Sequence, residues 1–445
     1  MSAAMGSLRQ RVMRSGGITA AGYAGNQLLR FGSNLILTRL LFPEAFGVMA
    51  IMQAVVVGVT MLSDVGVAQS IVRHKQGAEP AFVNTAWTIQ IVKGILMAIA
   101  LWVASSPVAQ AYHQPLLEGM MPWAAFAALL AGFTSTKVAL ANRNVETLRI
   151  TLINVGALSV GIVASILFAW HDPTPYALVW GNVVATIANV VAGHVFLRGP
   201  PNRLAWDRAV ATSILSFGGW VMLSSAVGYM TGEGNKLVVG SVLDIRLLGL
   251  FGLASTLSVV VSQAVGSMSS QVLFGAYSEV FRKDPSRLSQ AVERARRVQI
   301  VPIWCAALVL ALFGPQIVRL LYDPRYADAG IVLQFLAVGT MVSVLNNSFA
   351  GVLWAMDRVG LSTVILAVQM GLQLAGIVVG HWLHGQVGAL VGLAASGWLL
   401  YPFHAALYAR LGVWHPRTDL PVLVSSVVAA AAACFFINWS RAVAW

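Results

Sequence analysis

Thirteen apolar runs, each long enough to cross a bilayer, follow one another with only short polar segments between them. They lie near 17–41, 45–72, 82–104, 119–140, 149–170, 175–197, 210–241, 246–272, 298–318, 328–355, 361–380, 387–409 and 420–438. A helix needs about 20 such residues to span the hydrocarbon core, whereas a β-barrel shows short alternating segments. Backbone N–H and C=O groups cannot go unsatisfied in lipid, so runs of this length are helices. The chain therefore reads as an all-α polytopic membrane protein. Only 10% of its residues are charged, against roughly 25% in soluble domains.

The net charge of +12 would point to nucleic acid in a soluble protein. Here its distribution gives another meaning. With the N-terminus inside, Arg9, Arg11, Arg14, Arg73, Lys75, Arg143, Arg149 and the cluster from Arg282 to Arg297 all fall on the cytoplasmic side. The opposite side carries Arg246, Arg319, Arg325 and Arg441. That is the positive-inside pattern. Residues 1–15 read as a cytoplasmic tail. An odd number of spans leaves the C-terminus outside, and a re-entrant or interfacial last run returns it inside. Cys305 and Cys434 both sit in apolar runs and make neither a zinc spacing nor a disulfide framework.

The longest cytoplasmic segment is "SEVFRKDPSRLSQAVERARRVQ". Asp284 is placed to cap a helix that Pro285 starts. Leu288, Ala291, Val292, Ala295 and Val298 recur at helical spacing, with Arg287, Arg294 and Arg297 off that stripe. This reads as a short interfacial helix on anionic lipid or as a topology anchor.

The chain matches itself weakly at an offset of 202. Gly16-Gly17 then falls on Gly218-Gly219, Gly47 on Gly249 and Gln69 on Gln271. A second echo, at 213, sets "LANRNVETL" from Leu140 on "LWAMDRVGL" from Leu353. Two parallel six-helix lobes follow, 16–206 and 207–411, related by a pseudo-two-fold along the membrane normal with a central cleft between them. Residues 412–445 form a linker and a C-terminal hydrophobic segment, the thirteenth candidate span.

Charges at bilayer depth cost about 2.5–3.5 kcal/mol each on insertion scales and normally face a cavity or a partner. Arg30 and Arg39 are nine residues apart, and at about 100° per residue they point to opposite sides of one helix. Arg30 shares its face with Tyr23, Asn26, Gln27, Ser33 and Asn34, a polar stripe that avoids lipid. Arg39 lies near the external end, where it can reach the headgroups. The repeat carries the Arg30 face onto Ser225, Gly228, Tyr229, Gly232, Asn235 and Lys236. Arg30, Asn26, Asn34, Lys93, Lys137 and Lys236 are thus the candidate cleft residues. Ion pairing is the competing role for Arg30 and Lys236, and snorkelling for Lys137. Asp64 and Glu233 are candidates for coupling a proton or sodium ion, or for structural pairs with a neighbouring base. "HWLH" offers two histidines without a third ligand, a poor metal site. No GxxxxGK[ST] segment supplies an ATPase.

"LILTRLLFPEAFGVMAIMQAV" and "LSDVGVAQSIVRH" resemble the opening of the Wzx-type polysaccharide flippases of the MOP superfamily. "LLYDPRYADAGIVLQFLAV" resembles that family's turn between spans nine and ten. The resemblance covers about residues 14 to 411. It implies a flippase without catalytic residues in a bacterial inner membrane. Such a protein moves undecaprenyl-pyrophosphate-linked oligosaccharide outward by alternating access, among membrane lipids and polysaccharide-assembly proteins. The cationic role carries over first to Arg30, whose fork suits a pyrophosphate, then to Lys93, Lys137 and Lys236. The thirteen runs depart from the family's usual twelve or fourteen.

Two other classes compete. A cation-coupled drug exporter of the same superfamily would have an acidic cleft, and here bases dominate the first lobe. A membrane polymerase or ligase would carry a long external loop, and here only "ASSPVAQAYHQPLLEG" is of any length.

Overall fold

The computed structural model describes the chain except residues 1, 145, 232–233, 259–276, 278, 283, 350–351, 357 and 438–445. Among the described residues there is no strand. Ten helices among the described residues are long and apolar enough to cross a membrane. The chain packs as two units, Met1–Gly234 and Asn235–Trp445.

The first unit contains α1 (Ser2–Leu40), α2 (Pro43–Leu62), α3 (Val67–Arg73), α4 (Pro80–Ala111), α5 (Pro115–Gly132), α6 (Lys137–Arg143), α7 (Thr147–His171), α8 (Tyr176–Phe196) and α9 (Arg208–Thr231). Proline at the first position starts α2, α4 and α5, where its missing N–H costs nothing. Helix α4 packs on α5, α7 on α8, and α1 on α7. Two expected spans are broken. The run 45–72 stops at Leu62 and restarts at Val67, with Gly66 between them in the left-handed region at φ 63°. The run 119–140 stops at Gly132 and restarts at Lys137. Helix α1 is continuous from Ser2 through the residues expected to form the tail.

The second unit contains α10 (Gly234–Val242), α11 (Ile245–Ser258), α12 (Leu288–Leu321), α13 (Ala329–Asn347), α14 (Val352–Ala355), α15 (Val359–Arg410) and α16 (Pro416–Phe436). Helix α15 is two arms joined at His384–Gly385, where Gly385 has φ 61°. The arms fold back along Gly376, Gly380, Gly388 and Gly392. A Cβ on Gly380 would lie 2.0 Å from the Gly388 carbonyl oxygen, and one on Gly376 2.4 Å from that of Gly392. The two GxxxG pairs thus serve close helix packing, and the "HWLH" segment is the hairpin turn.

The repeat is visible in element ends. Adding 202 to Leu40 and Pro43, the end of α1 and start of α2, gives Val242 and Ile245, the end of α10 and start of α11. Adding 213 to Lys137 and Arg143 gives 350 and 356, which bracket α14. Packing draws a different line through the chain from the repeat boundary at 206/207. Helix α9 packs on α2 and α4 and belongs to the first compact unit. The expected span 210–241 thus contributes α9 to the first unit and residues from Asn235 onward to the second, with 232–233 outside the described residues.

The helix expected from Pro285 is the first part of α12 and not a separate element. A short 3₁₀ turn, Pro285–Arg287, runs directly into Leu288–Leu321. Asp284 does cap that turn, accepting from the Ser286 amide at 3.1 Å. The Ser286 hydroxyl bond holds the Asp284 carboxyl below its ordinary range. The buried stripe is Leu288, Val292, Arg296 and Ile300, at i, i+4 spacing, while Val298 is exposed. One of the expected cytoplasmic arginines is therefore in the core. Helix α16 is long and apolar enough to span.

Candidate functional site

Arg30 is exposed on α1, and no described residue pairs with it. Its face is graded: Tyr23 is exposed, Asn26, Gln27 and Asn34 are half-buried, and Ser33 is buried. The Asn26 amide oxygen is buried with no hydrogen-bond partner among the described residues. The Asn34 carbonyl accepts from the Thr38 hydroxyl at 2.8 Å. A permanent charge with no partner among the described residues, on a half-buried polar stripe, keeps its five N–H donors available to an anion.

Asp64 lies in the break between α2 and α3, not inside a helix. One carboxylate oxygen meets the Lys93 ammonium at 3.6 Å and accepts from the Gly66 amide at 3.1 Å. The other accepts from the Ser225 hydroxyl of α9 at 3.5 Å. Gly66 is needed there twice. Its φ is left-handed, and a Cβ would come within 2.8 Å of Val221 on α9. The Asp64 side chain is 27% exposed and that of Lys93 21%. The fold brings the candidate charges Asp64 and Lys93 together.

Lys137 starts α6 and donates to the His194 carbonyl at the end of α8, at 2.9 Å. The break before it is held by Asn202, which bonds the Ser135 and Thr136 hydroxyls. Its ammonium therefore serves a helix C-terminus, where positive charge is favoured. Lys236 is exposed on α10 in the second unit. Glu233 and Gly232 lie outside the described residues. The residues of the polar face expected along the seventh span fall on both sides of 232–233, which lie outside the described residues. Ser225 and Tyr229 sit on α9 and bond into the first unit, Tyr229 donating to the Ala54 carbonyl at 3.0 Å.

Two charge clusters lie beyond the sequence reading. Arg143 donates to the carbonyls of Ile71, Val72, His74 and Lys75, at 2.6–3.1 Å, closing the end of α3. Arg296 is fully buried and meets Asp419 of α16 at 2.8 Å. It donates to Ser348 at 2.8 Å and lies over the Phe349 ring at 3.6 Å. Asp419 also accepts from Tyr401 and Trp414, each at 3.1 Å. The signal for Arg296 was its i+4 spacing from Leu288 and Val292. For Asp419 it was a carboxylate in the first turn of a helix that Pro416 starts.

A family described as polysaccharide biosynthesis protein matches residues 36–330. The chain belongs to this family. It is 22% identical over 404 residues to the lipopolysaccharide biosynthesis protein WzxC of Escherichia coli (strain K12), covering 88% of this chain and 82% of that protein. It is 23% identical over 339 residues to the succinoglycan biosynthesis transport protein ExoT of Rhizobium meliloti (strain 1021), covering 76% and 68%. Its fold is that of an inward-facing multidrug resistance MATE transporter of the MOP superfamily, with a TM-score of 0.68, 14% identity and coverage of 87% and 94%. It is equally that of the lipid II flippase MurJ in an inward closed conformation, with a TM-score of 0.68, 9% identity and coverage of 92% and 90%. The family member is thus a multi-pass, all-helical membrane protein of the MOP superfamily fold.

Proposed function

We propose that the protein is a flippase that carries a lipid-linked oligosaccharide, borne on undecaprenyl pyrophosphate, from the cytoplasmic to the external leaflet by alternating access. The observation that carries this reading is Arg30, an exposed guanidinium on a polar membrane-helix face that no described residue neutralises. A pyrophosphate offers that fork two strong acceptors. The names of the relatives, which include a lipopolysaccharide biosynthesis protein and a succinoglycan transport protein, support a saccharide cargo. In this reading Asn26 and Asn34 supply neutral bonds along the same stripe, and Lys93 is a second base for the anion.

The test is translocation of undecaprenyl-pyrophosphate-linked oligosaccharide in proteoliposomes. Arg30→Ala is expected to lower the rate at least 10-fold while the protein stays folded and inserted, and Arg30→Lys to retain part of it. Full activity of Arg30→Ala overturns the role of Arg30. Lengthening of the sugar chain without movement would make the protein a polymerase.

A proton or sodium gradient is a second element of the proposal, and the Asp64–Lys93 pair favours it. A half-exposed carboxylate held at 3.6 Å by an ammonium is one for which a cation can compete. Asp64→Asn removes that competition and should abolish any dependence of transport on the gradient.

A further inference from the structure

A cavity of about 180 Å³ lies inside the second unit, between α13 and the two arms of α15. It sits midway along both arms, away from their His384–Gly385 turn. Its walls include Thr340, Ser343, Asn346, Gln369, Gln373 and Ser396. No Asp, Glu, Lys or Arg is among its described lining residues. With about 30 Å³ for each water in the liquid, the volume corresponds to about six waters, the space of one hexose-sized ring.

The walls are equipped for a neutral ligand rich in hydroxyls. Asn and Gln each carry two donors and an acceptor, and Ser and Thr carry both functions. Several of these groups are unspent. Asn346 is 5% exposed. Its amide NH₂ donates to the Gly397 carbonyl at 3.0 Å, and its amide oxygen has no partner among the described residues. Gln369 is half-buried and bonds to no described residue. The Gln373 oxygen accepts from Asn235, which leaves its NH₂ to donate elsewhere. An unfilled buried acceptor costs about 1–3 kcal/mol, and a hydroxyl donor would remove that cost. A bare cation fits poorly, because burying a charge without a counter-charge is strongly unfavourable.

We propose that this cavity is a binding site for one neutral sugar unit, held by hydroxyl-to-amide bonds. The assignment of that unit to the transported cargo rests on the flippase reading. On that reading the cargo is held in two places by two chemistries. The first unit's bases meet the pyrophosphate, and the second unit's amides meet the saccharide.

Saturation-transfer NMR on the full chain in lipid nanodiscs tests the cavity directly, with glucose, galactose and N-acetylglucosamine as probes. Saturation transfer to at least one sugar is expected, reduced at least fivefold in both Gln369→Leu and Thr340→Val, which roughly conserve volume and line the cavity from α15 and α13. No transfer, or transfer unchanged in both variants, overturns the proposal. A sodium-dependent thermal shift lost in the variants, without sugar transfer, also overturns it and makes the cavity a cation site. Proteoliposomes separate the two readings. Sugar binding without movement of lipid-linked saccharide leaves the cavity standing and removes the flippase. Equal transport of sugar-bearing lipid by wild type and both variants removes the cavity's role and leaves the flippase.

Discussion

Each unit of the molecule holds an ion pair, and the two could hardly be built more differently. In the second unit Arg296 and Asp419 are wholly buried at 2.8 Å. Ser348, Phe349, Tyr401 and Trp414 surround them. In the first unit Asp64 and Lys93 stand at 3.6 Å, each more than a fifth exposed, with Gly66 and Ser225 as neutral partners. Burial turns the same charges into different devices. A buried pair is costly to separate, because either ion left alone stays desolvated. An exposed pair is cheap to separate, because water or another ion replaces the partner. The first fastens α16 to α12 and α15, and the second leaves two charges available to a moving anion or cation.

The sharpest way to break this comparison is Asp419→Ala. It should destabilise the protein by about 3–5 kcal/mol by stranding Arg296, read as a large fall in the unfolding temperature in detergent. The double variant Arg296→Met, Asp419→Leu should recover most of that loss. Arg143→Ala comes next. It removes the donors on four carbonyls at the end of α3 and should cost about 1–3 kcal/mol, seen as faster proteolysis of the segment between α3 and α4. Lys93→Met should have the smallest effect on stability, within about 1 kcal/mol, while slowing transport. If it lowers the unfolding temperature as far as Asp419→Ala does, the contrast between the units is wrong.

Much of the fold was legible because lipid is a strict solvent. Apolar runs must become helices, and the repeat aligned the ends of α1 and α10 to the residue. The GxxxG pairs of α15 answer to the same solvent, since only a missing side chain lets two helix backbones touch. The breaks at Gly66 and before Lys137 were not readable, because Thr, Ser and Gly are tolerated within a span and interrupt it only when neighbours satisfy the freed groups. Asn202 does this for Ser135 and Thr136, and α9 packs over Gly66. Charge counting placed Arg296 in a cytoplasmic loop. Its actual partner lies more than a hundred residues away, on a helix whose status the sequence left open. Lys137 looked like a cavity base because its own segment cannot announce the His194 carbonyl that it serves.

The sequence alone determined that this is an all-helical membrane protein of two repeated halves, with charges at depths where charge is expensive. That follows from local transfer energies, which each segment carries with it. Tertiary structure decided which charges are spent and which remain. It paired Asp64 with Lys93, sank Arg296 against Asp419, tied Lys137 to a helix end and left Arg30 exposed. The reason is physical: the cost of a membrane charge is set by its neighbours, and those neighbours come from elsewhere in the chain.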